Sequence, residues 1–428
     1  MTPEKTTVIL TARFLLPISS PPLLDGGLLI RDGVICAVGK ASALIRDFAT
    51  EPHDDLGGAV LLPGLVNAHT HLELTGLHGR LPFGRSFTEW ATTLLNLRSE
   101  LDGAFFATSA RLGTTALLRS GVTCVADITT SGRSVAPLKA AGLRGIIFQE
   151  ILGLDPEQAT ERIDAAEKAL QSLQLQASGS LLSVGLSPHA PYSLSEPLLL
   201  RCAELLRRRR LPATIHLAES PEEVTYIGLG IGPIASELLP AVGRHSPSHR
   251  VCGESPVALL DRAGLLSEQL LAVHGVHVGG SDLELLKQRG VALAMCPRSN
   301  DYLNVGTAPL PRYLASGLRV GLGTDSLASN ETLSLWDEMR FAHRLYGGAV
   351  TAQQLVTMAT LGGAAVLGMA GAIGSLTPGK RADLTALAID RLDDADPYGS
   401  LLSQASDGLV VLSMVEGKIV YQREGAER

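Results

Sequence analysis

Eight short apolar runs recur between residues 59 and 323: Ala59–Ala68, Val122–Ile128, Leu143–Gln149, Leu182–Leu186, Ala213–Leu217, Leu270–Val273, Val291–Met295 and Arg319–Gly323. Helical stretches separate them, among them Pro156–Leu173, Glu196–Arg209 and Asp282–Arg289. Strands alternating with helices predict a parallel α/β fold, and eight such units in about 250–300 residues predict a (β/α)8 barrel of the TIM type. A doubly wound open sheet is the competing topology, but no G-x-G-x-x-G opens a helix after a strand.

The two ends of the chain read differently. Val8-Ile9-Leu10 and the stretch Gly27–Gly39 are β-type, and Asp32-Gly33 inside the latter is a hairpin signal. Ala382–Leu387 and Val410–Tyr421 echo this pattern, with a turn at Gly417-Lys418. The expected organisation is a composite β-sandwich built from residues 1–58 and 369–428, with the barrel, residues 59–368, inserted between them.

Composition narrows the class. With 45% apolar residues a large core is available, and a net charge of -7 leaves no basic footprint for nucleic acid. The five cysteines are scattered without a C-x-x-C pair, which suggests a reducing compartment and excludes the cysteine-ligated zinc site of the small nucleobase deaminases. An acidic Glu4 and the lack of a long apolar run lead us to expect no signal peptide, no membrane span and a cytoplasmic protein. The basic run Arg207–Arg210 sits at a predicted helix end, where solvated cations suit the helix dipole.

In such barrels the chemistry lies at the carboxyl ends of the strands. The first run leads through Pro63-Gly64-Leu65-Val66-Asn67-Ala68 to His69-Thr70-His71-Leu72-Glu73. Side chains at i and i+2 of a strand share a face, so His69 and His71 project together, and neutral imidazole is a common metal ligand. The fourth run leads into Ser187-Pro188-His189, and the fifth ends His216-Leu217-Ala218-Glu219. The sixth ends at His274 with His277 shortly after, the seventh at Cys296-Pro297-Arg298-Ser299-Asn300, and the eighth at Gly323-Thr324-Asp325-Ser326. Taken singly, each fits a hydrogen-bonded structural histidine or a helix cap. Four strands with a ligand-type residue at the same end predict a metal site.

The motifs PGLVNAHTHLE, SPHAPYS, IHLAES, VHGVHV, CPRSN and GLGTDSLASNETLSLWDEMR resemble the amidohydrolase superfamily, in its cytosine-deaminase-like and nucleoside-deaminase-like branch. HLEL after the first strand and CPRSN after the seventh are most similar to 6-aminodeoxyfutalosine deaminases of the menaquinone pathway. The resemblance implies that His69, His71, His216 and Asp325 hold one divalent ion, zinc first and iron second, since three histidines and an aspartate suit both. It makes His274 and Asp325 catalytic groups beside the activated water, Glu219 the carboxyl that shuttles protons to the substrate ring, and His189 a substrate contact. His277 is structural in this match. Two-metal members bridge their ions with a modified lysine at a strand end; the strand in question ends Phe148-Gln149-Glu150, which favours a single ion.

The implied activity is hydrolytic deamination of an aminopurine nucleoside, 6-aminodeoxyfutalosine first, with release of ammonia. Adenosine, S-adenosylhomocysteine, methylthioadenosine and guanine are alternative substrates, and amide or chloride hydrolysis is an alternative reaction on the same fold. An inert metal-binding scaffold is the non-enzyme alternative, with the complete acid–base set against it. Three further expectations concern substrate. Arg298 suits a carboxylate such as the benzoate of aminodeoxyfutalosine. Glu73 is a candidate for a ribose hydroxyl or the purine edge. Phe83–Trp90 either covers the non-reacting part of the substrate or packs Phe87 and Trp90 on the barrel. The partner is a small molecule, and the family pattern allows a homodimer.

Overall fold

The computed structural model describes residues 7–424 except Pro82, Ser246 and Ser248. Eight strands, Leu65–Thr70, Val122–Thr129, Arg144–Ile151, Leu182–Pro188, Ala213–Leu217, Leu270–His274, Ala292–Met295 and Val320–Leu322, pair in parallel in chain order. The ring closes just past the eighth: the N–H groups of Thr324 and Asp325 donate to the His69 carbonyl at 3.1 and 3.0 Å. The expected barrel is therefore present. These strands read as continuous apolar runs because both faces are covered. Alternate residues (Val66 and Ala68, Cys124 and Ala126, Ile146 and Phe148, Leu271 and Val273, Ala292 and Ala294) form one interior cluster, stoppered by Ala364, Val366, Leu367 and Ile373. The other set packs on the surrounding helices. Helix Glu196–Arg209, for example, buries Leu198, Leu199, Cys202, Ala203, Leu205 and Leu206, and ends on a left-handed Arg210.

The run Ala59–Ala68 is two strands, not one. Val60–Pro63 belongs to the sheet formed by the chain ends, parallel to Thr7–Leu15 and antiparallel to Leu384–Leu387. The barrel begins at Leu65. The break falls at Gly64, where a Cβ would lie 2.1 Å from the Thr123 hydroxyl, so only glycine lets the chain pass from one sheet to the other. The expected sandwich takes the form of one continuous sheet in the order Lys418–Gln422, Val410–Val415, Leu384–Leu387, Val60–Pro63, Thr7–Leu15, Leu23–Arg31, Val34–Lys40, with His53–Asp55 also paired to Thr7–Leu15. Asp32-Gly33 makes the predicted hairpin, both residues at positive φ as a type I′ turn requires. The C-terminal turn uses Glu416-Gly417, one residue earlier than expected. Arg144, on the third barrel strand, ties sheet to barrel through Asp383 at 2.8 Å and Glu416 at 3.2 Å. All five cysteines are free thiols. Among the described residues no single helix is long and apolar enough to cross a membrane.

Candidate metal centre

The first, fifth and eighth strands deliver His69, His71, His216 and Asp325 to one point, and their ligand atoms all lie within 4.8 Å of one another. His69 Nε2 is 3.3 Å and His71 Nε2 3.6 Å from Asp325 Oδ1, and the Nε2 atoms of His71 and His216 are 3.3 Å apart. The surroundings orient each donor. His216 Nδ1 donates to the His189 carbonyl at 2.7 Å, which leaves Nε2 as the free lone pair. Ser299 and Ser329 hydroxyls donate to Asp325 Oδ2 at 2.6 and 2.8 Å, which leaves Oδ1 facing the imidazoles. Leu72 N–H and the Thr70 hydroxyl donate to Asp127 Oδ1 at 2.8 and 2.9 Å and pin the turn that carries His71.

Electrostatics favour a cation. Burial drives His69 down to about 4 and His71 well below its ordinary range, so both imidazoles are neutral at pH 7. Burial opposes ionisation of Asp325, but its contact with His69 and the fields of the neighbouring imidazoles outweigh it and hold the carboxyl well below the usual range. His69 Nε2 is buried with no hydrogen-bond partner. A buried lone pair left unpaired is costly, and three imidazoles with one carboxylate are a donor set suited to zinc or ferrous iron. The residues fit one divalent ion. No lysine occurs in any of the eight barrel strands.

Beside this cluster stand His274 and Glu219. His274 Nδ1 contacts Asn300 Oδ1 at 2.9 Å, which assigns the proton to Nδ1 and leaves Nε2 an acceptor, 3.5 Å from Glu219 Oε1. Burial lowers His274 and pushes Glu219 up to about 8, so at pH 7 the histidine is neutral and the glutamic acid holds its proton. Ala218, His274 and Asp325 all have left-handed backbones, φ 49°, 69° and 59°. Such strain at residues with a Cβ collects at functional sites. His189 lies with its ring 4.9 Å from that of His216, its Nδ1 on Ser193 Oγ at 2.8 Å, and burial drives it down to about 3. The His277 ring is turned to the backbone, its Nε2 meeting the Val305 carbonyl at 2.7 Å, and its N–H donates to the Ala218 carbonyl at 2.9 Å, in keeping with a structural role.

Two residues expected to contact substrate, Glu73 and Arg298, have partners within the protein. Glu73 is buried and its carboxylate is filled: it accepts from the hydroxyls of Thr129 and Ser131 and from the N–H groups of Thr130, Ser131 and Arg133. It anchors the loop after the second strand. Arg298 lies on helix Pro297–Tyr302, whose Ser299 and Asn300 meet Asp325 and His274. Its own guanidinium donates to Asn330 Oδ1 at 3.1 Å and to Glu331 Oε2 at 2.8 Å. There it lines a cleft of about 260 Å³ with Phe83, Tyr302 and Phe341. The segment after the first strand resolves into helix Phe87–Ser99, capped by Ser86 and Glu89. Phe87 is buried and Trp90 Nε1 donates to the Ala328 carbonyl at 2.9 Å, so both pack on the barrel, while Phe83 is 64% exposed.

Ser299, Asn300, Ser329, Asp127 and Glu223 were not singled out from the sequence. Asp127 carried a signal, a lone acid in the apolar run Val122–Ile128, and burial pushes it up to about 7. The others are ordinary helix-start or loop residues until the fold gives them partners.

The chain is 34% identical over 412 residues to a 5-methylthioadenosine/S-adenosylhomocysteine deaminase of Syntrophobacter fumaroxidans, covering 93% of this chain and 88% of that one. It is 33% identical over 353 residues to an aminodeoxyfutalosine deaminase of Deinococcus radiodurans, covering 80% and 81%. The crystal structure of an adenosine deaminase from Xanthomonas campestris with bound zinc superposes with a TM-score of 0.80 at 27% identity, covering 96% of this chain and 92% of that one. Residues 60–420 match the amidohydrolase family model, and the chain belongs to that family.

Proposed function

We propose that this hydrolase acts on a carbon–nitrogen bond as a metal-dependent deaminase of a 6-aminopurine nucleoside. The observation that carries the reading is Glu219: a buried carboxyl, raised to about 8, three residues after His216 and 3.5 Å from His274 Nε2. His69, His71, His216 and Asp325 would hold a divalent ion, which would supply Lewis acidity and lower the pKa of a water to about 7. The remaining work falls to side chains. Protonated Glu219 donates to a ring nitrogen, which makes the adjacent carbon electrophilic. His274 Nε2, an acceptor by virtue of Asn300, orients the attacking water, and the Asp325 carboxylate takes its proton. The carbon–oxygen bond forms, the proton passes from Asp325 to the exocyclic nitrogen, the carbon–nitrogen bond breaks to release ammonia, and the hydroxyl proton of the product returns to Glu219 as the carbonyl forms. General acid–base steps of this kind contribute about 10²–10⁴-fold each. His189 serves as a substrate contact.

Among nucleosides, two observations favour one altered at the 5′ position by a thioether, methylthioadenosine or S-adenosylhomocysteine, over aminodeoxyfutalosine. The 34% identical relative bears the first activity in its name, and Arg298, the cation invoked for a benzoate, is committed to Asn330 and Glu331. The test is ammonia release by zinc-loaded protein from methylthioadenosine, S-adenosylhomocysteine, adenosine and aminodeoxyfutalosine, with Glu219→Gln as control. Turnover fastest on the 5′-thio nucleosides is expected. Turnover fastest on aminodeoxyfutalosine would restore the narrower family expectation, and release from none of the four would overturn the deaminase reading.

A further inference from the structure

The turn that carries Glu219 joins strand Ala213–Leu217 to helix Pro221–Leu229, and it is strained. Ala218 sits at φ 49°, a conformation that a Cβ disfavours. Something must hold it. The Ala218 carbonyl accepts from His277 N–H at 2.9 Å. The two N–H groups on either side of the strained carbon path, those of Ala218 and Glu219, both donate to the Glu223 carboxylate, to Oε1 at 3.0 Å and to Oε2 at 2.9 Å.

Glu223 has no exposed surface, and none of the groups that shift it is a cation. Burying a second acid so close to Glu219 is unfavourable unless its hydrogen bonds return the cost. Helix capping does not account for it, because Ser220 already caps the helix by accepting Glu223 N–H at 3.1 Å. What the carboxylate adds is a two-point clamp on the backbone from which the Glu219 side chain departs.

We propose that Glu223 is a positioning residue that aims the Glu219 carboxyl at the reacting atoms. The inference rests on the reading of Glu219 as the proton donor. A displacement of about 1 Å in such a group costs on the order of 10²-fold in rate. Glu223→Gln keeps the size but opposes an amide N–H₂ to one backbone N–H and opens the clamp.

The experiment measures kcat, KM and zinc content for the wild type, Glu223→Gln, Glu219→Gln and the double variant, on the best nucleoside substrate. The expected result for Glu223→Gln is a kcat lower by about 10–100-fold, with KM within about twofold and one zinc per chain retained. In the Glu219→Gln background the same change should cost less than about twofold, because the group it aims is already disabled. Glu223→Gln within about threefold of wild-type kcat, parallel loss of zinc and activity, or a full multiplicative loss in the double variant would each overturn the proposal. If Glu223→Gln fails to fold, Glu223→Asp, which keeps both oxygens one methylene short, must lower kcat at unchanged KM; an unchanged kcat overturns it. An active Glu219→Gln enzyme sinks the reading of Glu219 itself, whereas an inactive Glu219→Gln beside a normal Glu223→Gln sinks only the positioning role.

Discussion

Glu73 and Glu219 occupy similar places in the chain: the first lies two residues after His71, the second three residues after His216, and each is buried at the carboxyl end of a barrel strand. Their surroundings are opposite. Five donors from residues 129–133 converge on the Glu73 carboxylate. Among the described residues the Glu219 carboxyl has only the 3.5 Å approach of His274 Nε2. A saturated carboxylate holds structure, because its lone pairs are spent and its charge is stabilised. An unsaturated one in the same low dielectric is pushed toward its neutral form and is free to exchange a proton. Two acids of one type, at one end of one barrel, thus differ in whether their oxygens are spent, and that difference supports the roles proposed for them, scaffold for Glu73 and proton donor for Glu219.

The comparison can be broken most sharply at Glu219. Glu219→Gln should lower kcat by about 10²–10⁴-fold at unchanged zinc stoichiometry; a variant that still releases ammonia at near wild-type rate would erase the distinction. Removal of the metal should come next. The zinc-free protein is expected to be inactive and to unfold at lower temperature, since a ligand at 100–1,000 times its Kd adds about 2.7–4.1 kcal/mol; calorimetry with and without chelator measures this.

Glu73→Gln should act on stability instead, by about 1–3 kcal/mol, because buried donors lose a charged acceptor. Folded Glu73→Gln enzyme should keep kcat/KM within about threefold, and a large kinetic defect without a stability defect would return Glu73 to the substrate site. A smaller effect is expected from pH. Glu219, Glu223 and Glu338 are raised to about 8 by burial, so between their unfolded values and 8 the folded protein binds more protons than the unfolded chain, and stability falls as pH rises. The buried histidines His69 and His189, lowered to about 4 and 3, oppose this only below their ordinary value of 6.5. The metal-free protein should therefore lose Tm from pH 6.5 to pH 8, and a rising Tm across that window would contradict the assignments. The smallest change is expected from Arg298→Met. Its ion pair with the largely exposed Glu331 contributes less than about 1 kcal/mol, and KM for 5′-thio nucleosides should stay within about twofold.

Much of this was legible in the order of residues. The alternation of apolar runs with helices announced the barrel, polar residues repeated at one end of the runs announced a metal site, and the resemblance of the motifs picked out the four that the fold gathers, His69, His71, His216 and Asp325. Gly64 hid the division of the first run, because a glycine inside an apolar stretch marks a bend only when the neighbour it must clear, Thr123, is known. Arg298 read as a carboxylate ligand because its position beside a strand end was visible and its helical face was not. Ser299 and Asn300, next to it, face the centre.

The sequence alone determined what is local or periodic: the barrel, the Asp32-Gly33 hairpin and the supply of ligand-type residues at one end of the strands, since strand periodicity and side-chain chemistry travel with the residues themselves. Tertiary structure decided which carboxyl is spent and which is free, which tautomer each imidazole adopts and which acceptors hold the Arg298 guanidinium. Those properties depend on partners tens to hundreds of residues away, such as Asn300 on His274 and Ser299 on Asp325. A buried polar group takes its charge, its direction and its availability from whichever donors the fold brings within hydrogen-bond reach.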